Sequence, residues 1–129
     1  KKRAAFMRTP ILIVDHKPAA HMLLQMVLEL AGYQVHVART AREAISVIQQ
    51  SKPALALIEY RLQGMDGAEL CVRLNAHAST RYLPLILTSD DHDGQRAARW
   101  LPVQAYLPKP VSPKDMLQVI KRVLEPVRA

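Results

Sequence analysis

One cysteine, Cys71, among 129 residues rules out an internal disulfide and agrees with a reducing, cytoplasmic setting. No apolar run approaches the roughly 20 residues that cross a bilayer. The run from Ile11 to Val14, after the basic start Lys1-Lys2-Arg3 to Arg8, is too short for a signal peptide. There is no Gly-rich phosphate loop, no Cys-x-x-Cys pair and no nucleophile elbow, which argues against nuclease and hydrolase chemistry. Negative charge is scarce: 11 acids stand against 18 Lys and Arg, a net charge of +7. Such a balance raises the question of nucleic acid. The basic residues, however, form dispersed pairs such as Arg39 and Arg42, Arg96 and Arg99, or Lys121 and Arg122. No aromatic residues interleave with them as a stacking platform, so solvated surface is the simpler reading. Half of the chain is hydrophobic and only 22% is charged, the reverse of a disordered segment. The length fits one domain with a sizeable core.

What is present alternates regularly. Ile11-Leu12-Ile13-Val14 reads as a buried parallel strand. Ala20, Leu23, Leu24, Val27, Leu30 and Ala31 form the expected inner face of a first helix, stopped by Gly32. Tyr33 to Ala38 is a second strand, and Thr40-Ala41-Arg42-Glu43 a capping box for a second helix buried through Ala44, Ile45 and Ile48. The third apolar run is Ala54 to Ile58, followed by a capping-box-like start at Asp66 and a helix lined by Leu70, Cys71 and Leu74. Leu85 to Thr88 is a fourth strand, Asp93 to Trp100 a short helix with Trp100 packed in the core, and Val103 to Leu107 a fifth strand. Ser112 caps a last helix with Pro113 in its first turn and Met116, Leu117, Ile120, Val123 and Leu124 as its stripe, ended by Pro126. Five βα units predict an α/β domain, a parallel sheet covered on both faces. The expected domain spans residues 10–126, with a loose leader at 1–9 and a tail at 127–129.

The chemistry of such a sheet lies at the carboxyl ends of its strands. Asp15 and His16 follow the first strand, Glu59 the third, Thr88 and Ser89 end the fourth, and Lys109 follows the fifth. Four strands thus deliver polar or charged groups to one edge. The remaining histidines, His21, His36, His77 and His92, show no pairing pattern and read as surface or helix-end residues. Cys71, on an apolar helix face, reads as a small core filler.

From about Pro10 to Glu125 the chain resembles the receiver domain of two-component response regulators, the chemotaxis-regulator type. The resemblance rests on Ile11-Leu12-Ile13-Val14-Asp15, Gly64-Met65-Asp66-Gly67, Leu87-Thr88-Ser89 and Tyr106-Leu107-Pro108-Lys109-Pro110, in that order and spacing. It implies a flavodoxin-like sheet of order 2-1-3-4-5. It also implies that Asp15 is one of two acids that help to hold Mg²⁺, that Thr88 and Lys109 bind phosphoryl oxygens, and that Thr88 and Tyr106 act as a switch. Pro110 matches a proline whose preceding peptide bond is often cis.

Four departures stand beside these matches. Glu59 occupies the phosphoacceptor position, His16 replaces the second acid, Gln63 stands where proline is common, and Pro102 replaces a glycine. Mg²⁺ wants about six oxygens at ~2.1 Å, so an imidazole in place of a carboxylate weakens or abolishes its binding. Glu59 also carries its carboxylate about 1.5 Å beyond an aspartate's, and ~1 Å of misplacement can cost about a hundredfold in rate. The resulting expectation is a pseudo-receiver, not an enzyme, with no cofactor. Either Glu59 pairs with Lys109 and fixes one state, or it only offsets the lysine charge. Asp15, His16 and Glu59 could also suggest a Zn²⁺ or Mn²⁺ site, against which a solvent-facing histidine is the simpler reading. The expected partner is a protein, or another domain of a parent protein, of acidic character. It would meet the face formed by the fourth helix, fifth strand and fifth helix, where Arg96, Arg99, Lys114, Lys121 and Arg122 cluster. The alternatives are a receiver still phosphorylated at Glu59 or Ser89, with a histidine kinase to find, and a basic nucleic-acid-binding module.

Overall fold

The strands alternate their side chains between two helical layers, and this alternation builds the core. The computed structural model describes residues 8–125. Five strands, β1 (Pro10–Val14), β2 (Gln34–Ala38), β3 (Leu55–Glu59), β4 (Leu85–Ser89) and β5 (Ala105–Pro108), alternate with five helices. These are α1 (Pro18–Leu30), α2 (Ala41–Ser51), α3 (Gly67–Ala76), α4 (His92–Ala97) and α5 (Pro113–Leu124). The sheet is parallel throughout and has the order β2-β1-β3-β4-β5, as the resemblance implied.

Because successive residues of a strand face opposite sides, Ile11 and Ile13 pack with Leu24 and Leu28 of α1 and with Met116 and Ile120 of α5. Leu12 and Val14 face the other way, onto Ala44 and Ile48 of α2 and Leu70, Cys71 and Leu74 of α3. Each fully buried Leu or Ile contributes roughly 1.5–3 kcal/mol. Cys71 is part of this core, and burial pushes its thiol up to about 12, so it behaves as an inert filler.

The caps hold in two of three places. Thr40 Oγ1 accepts from the Glu43 N–H at 3.1 Å while Glu43 reaches back to the Arg39 N–H at 2.7 Å. Ser112 Oγ accepts from the Asp115 N–H at 3.2 Å. Asp66 stands at the N-cap of α3 without a side-chain cap bond. At this end the Tyr60 carbonyl accepts from the N–H of Gly67, the first residue of α3, at 2.9 Å. A Cβ on Gly67 would collide with the backbone carbonyl of Glu59. We therefore expect Gly67→Ala to lower stability by about 1–3 kcal/mol, read as a fall in the urea midpoint.

Three packing expectations are corrected. The inner face of α1 is His21, Leu24 and Leu28, whereas Leu23, Leu30 and Ala31 are exposed. That helix is apolar nearly all round, so periodicity cannot choose its buried side. His21, expected at the surface, is buried, and neither ring nitrogen has a hydrogen-bond partner among the described residues. Trp100, expected in the core, is 70% exposed: α4 ends at Ala97, Trp100 lies in the turn that follows, and Leu101 takes the buried place. The helix stop at Pro126, residues 127–129 and most of the leader lie outside the described residues. Within the leader, the Thr9 carbonyl accepts from the Gln34 N–H at 3.0 Å.

Candidate functional site

In the order β2-β1-β3-β4-β5 the chain reverses direction of winding at β1 and β3, and the crevice beyond their carboxyl ends is where such sheets bind ligands. Asp15 lies one residue past β1, and Glu59 ends β3 in register with Thr88 of β4. Lys109 follows β5, anchored by its N–H on the Ser89 carbonyl at 2.8 Å. The Lys109–Pro110 peptide is cis. Asp15, Glu59, Thr88 and Ser89 are all buried.

Lys109 joins the two carboxylates. Its Nζ donates to Glu59 Oε1 at 2.5 Å and to Asp15 Oδ2 at 2.9 Å. The other oxygens are also engaged. His16 Nδ1 donates to Glu59 Oε2 at 2.5 Å, and the Lys17 N–H donates to Asp15 Oδ1 at 2.9 Å. Because a carboxylate only accepts, the His16 proton toward Glu59 sits on Nδ1. Burial pulls the Lys109 ammonium down, but hydrogen bonds and charge from Glu59 and Asp15 outweigh it, and its pKa stands raised from the ordinary 10.5. Lys109 is thus a positive charge held between two buried carboxylates. Asp15, His16 and Glu59 each present a ligand atom within 4.8 Å of the others.

Of the residues expected in this pocket, Asp15, His16, Glu59 and Lys109 come together. His16 keeps part of its ring in solvent yet is bound to Glu59. Ser89 turns away: its hydroxyl donates to the Asp91 carbonyl at 3.2 Å and accepts from the Asp91 N–H at 3.1 Å. Tyr106 is half-buried, lies beside Leu87 in register, and its hydroxyl donates to the Ser89 carbonyl at 3.3 Å.

A second network at the rim was not expected from the sequence. Arg61, in the loop after β3, donates to Asp91 at 2.8 Å and to Asp93 at 3.0 Å, and Arg96 also pairs with Asp93. The Arg61 guanidinium, with the Gly94 N–H, holds the Asp91 carboxyl below its usual range. These ties join the loop after β3 to the start of α4. Asp91-x-x-Gly94 is legible as a cap, but the reach of Arg61 across some 30 positions leaves no local signal.

The comparisons agree with this geometry. The family model described as "Response regulator receiver domain" matches residues 11–121. Protein PilH of Pseudomonas aeruginosa is 30% identical over 88% of this chain and 96% of its own length. The phosphate regulon transcriptional regulatory protein PhoB of the same organism is 34% identical over 88% of this chain, but over 51% of its own length. The chain therefore spans about half the length of several transcriptional regulators that it matches. Among solved structures, a putative response regulator from Chloroflexus aurantiacus aligns with a TM-score of 0.86 at 30% identity, covering 91% of this chain and 98% of that one. A response regulator receiver domain protein from Methanospirillum hungatei aligns with a TM-score of 0.81 at 32% identity, covering 91% and 94%. With the sheet order, the pocket at its switch point and these matches all in agreement, the chain belongs to the response regulator receiver domain family of two-component signal transduction.

Proposed function

We propose that this receiver domain signals through protein contacts, from a pocket that does not take up a phosphoryl group by the family's Mg²⁺-dependent route. The observation that carries the reading is the Lys109 ammonium 2.5 Å from Glu59 and 2.9 Å from Asp15. Glu59 is long enough to bring its carboxylate onto the lysine that would otherwise meet phosphoryl oxygens. All four carboxylate oxygens already face an N–H or ammonium donor. This donor set does not fit Mg²⁺, which needs about six oxygens in near-octahedral geometry. Here two carboxylates share the single Lys109 ammonium, and the third group is an imidazole, which offers nitrogen in place of a hard oxygen ligand. The network holds the pocket in one arrangement, with Tyr106 kept inward on the Ser89 carbonyl.

The output runs through exposed surface. Arg96, Arg99, Lys114, Lys121 and Arg122 are all exposed on and beside α4 and α5, a face suited to an acidic protein or an acidic domain of a parent protein. Incubation with a small-molecule phosphodonor and Mg²⁺, followed by intact-mass spectrometry, is expected to leave the protein unmodified. An acid-labile phosphoryl adduct on Glu59 would overturn the proposal.

A further inference from the structure

The pocket of Glu59 lies at the carboxyl edge of the sheet. A cleft of about 580 Å³ lies at the opposite, amino edge, where the chain enters β3 and β4. Ile48 and Gln49 line it from the end of α2, Lys52 and Pro53 from the turn into β3, and Tyr82 and Leu83 from the segment before β4. A second recess of about 180 Å³ shares Ile48 and Gln49 with it and runs on to Leu74 and His77. A cleft of this size falls in the range of small-molecule sites. Its wall is held by the fold. Thr80 Oγ1 donates to the Leu74 carbonyl at 2.6 Å, the Arg81 N–H to the His77 carbonyl at 2.8 Å, and the Leu83 N–H to the Thr80 carbonyl at 3.0 Å.

The lining tells the chemistry of the occupant. Ile48 and Pro53 are buried and Leu83 is half-buried, an apolar floor, while Tyr82 stands at the rim 84% exposed and offers a ring face. Neither recess is lined by any Asp or Glu. The fixed cations are Lys52 and Arg73. Arg73 is offset by Glu69 at 2.9 Å, whereas Lys52 has no ion pair among the described residues. Lys52 caps α2, and a full ammonium outweighs the charge of about one half at a helix end. The Ile48 and Leu74 carbonyls near it are already taken by the Lys52 N–H and the Thr80 hydroxyl. One uncompensated cation over an apolar floor suits an apolar body with a single carboxylate. It suits a phosphate less, which brings nearly two charges.

We propose that this cleft binds a small amphipathic monocarboxylate with an aromatic body. The body lies on Ile48, Pro53 and Leu83 against the Tyr82 ring, and the carboxylate meets the Lys52 ammonium. The occupant would touch β3 and β4 at the ends opposite Glu59 and Thr88, so the site is separate from the pocket of the proposed function.

The experiment is an amide NMR titration of the full chain with three probes of one shape, phenylbutyrate, its neutral amide and the matching amine. Phenylbutyrate is expected to shift Ile48, Lys52 and residues 79–83 saturably, with a dissociation constant on the order of a millimolar, ordinary for so small a probe. The amide and the amine are expected to bind roughly fivefold more weakly or less, the scale of one exposed ion pair. Lys52 has a left-handed backbone, with φ of 48°. Lys52→Asn suits that backbone and removes the ammonium, so it is expected to bring phenylbutyrate down to the level of the amide and leave the amide unchanged. Gln49→Trp, at an exposed position of α2, fills the cleft and is expected to abolish binding of all three, with the spectrum away from the cleft unchanged. The proposal is overturned by an absence of saturable shifts, by shifts centred elsewhere, by an amide or amine that binds as well as the acid, or by a preference for the acid that survives Lys52→Asn. None of these outcomes bears on the phosphodonor test, which reads the pocket at Glu59.

Discussion

Replacing Lys109 with methionine is expected to lower the unfolding free energy by about 3–5 kcal/mol near neutral pH. The lysine stem packs as before, but two carboxylates that share one ammonium, Asp15 and Glu59, are left together at 2% and 4% exposure. Removing one member of a buried ionic group strands the others without water or counter-charge, which is why the loss exceeds that of a surface pair. The loss has a pH signature. In the parent chain the folded-state pKa of Lys109 is raised above its ordinary 10.5. Its contribution is thus complete below about 10.5 and is lost as pH rises through the higher folded value. Urea titrations of both proteins at pH 7, and of the parent chain as pH rises past about 10.5, measure the effect. An unchanged midpoint at pH 7 would mean that the Lys109 network adds nothing to the fold.

The second large effect is a gain. Glu59→Asp together with His16→Asp is expected to convert the pocket from one that forms no phosphoryl adduct to one that does so with Mg²⁺ and a small phosphodonor. Shortening Glu59 by one methylene draws its carboxylate back by about 1.5 Å and frees Lys109 to meet phosphoryl oxygens, a scale at which ~1 Å is worth about a hundredfold. The second change returns a hard oxygen ligand next to Asp15, as Mg²⁺ requires. His16→Asp alone is expected to raise Mg²⁺ affinity without an adduct, and Glu59→Asp alone to give a poor, metal-limited reaction. Adducts from all four proteins, followed by intact mass over time, separate the two contributions. An adduct on the unsubstituted chain at a comparable rate contradicts the account.

How far the sequence could be read depends on where the physics is local. The strands were legible because a short β-branched run such as Ile11-Leu12-Ile13-Val14 is buried on both faces and needs no partner to announce it. The pocket was legible for a related reason: chain direction puts Asp15, Glu59, Thr88 and Lys109 at one edge whatever the helices do. Both readings of Glu59, a pairing that fixes one state and a simple offset of the lysine charge, put it beside Lys109, and the two groups are in contact. The direct bond between His16 and Glu59 was not foreseen, since only the spacing of β1 and β3 brings them together. The face of α1 was misread because apolar residues surround that helix and its one histidine points inward. Ser89 was grouped with Thr88, yet alternation along β4 sends it to Asp91 instead. Arg61, Asp91 and Asp93 meet only after two loops fold toward each other, and no window of sequence contains them.

The most direct test of the central claim is an amide NMR titration of the chain with Mg²⁺ and then with Mg²⁺ plus beryllofluoride, a mimic of the phosphoryl group. The Lys109–Glu59–His16–Asp15 network predicts no saturable shifts at Asp15, Glu59, Thr88, Lys109 or along β5, while the doubly substituted chain shifts at all of them. Saturating shifts at those positions in the unsubstituted chain would show that the pocket opens to metal and phosphoryl groups, and would contradict the account.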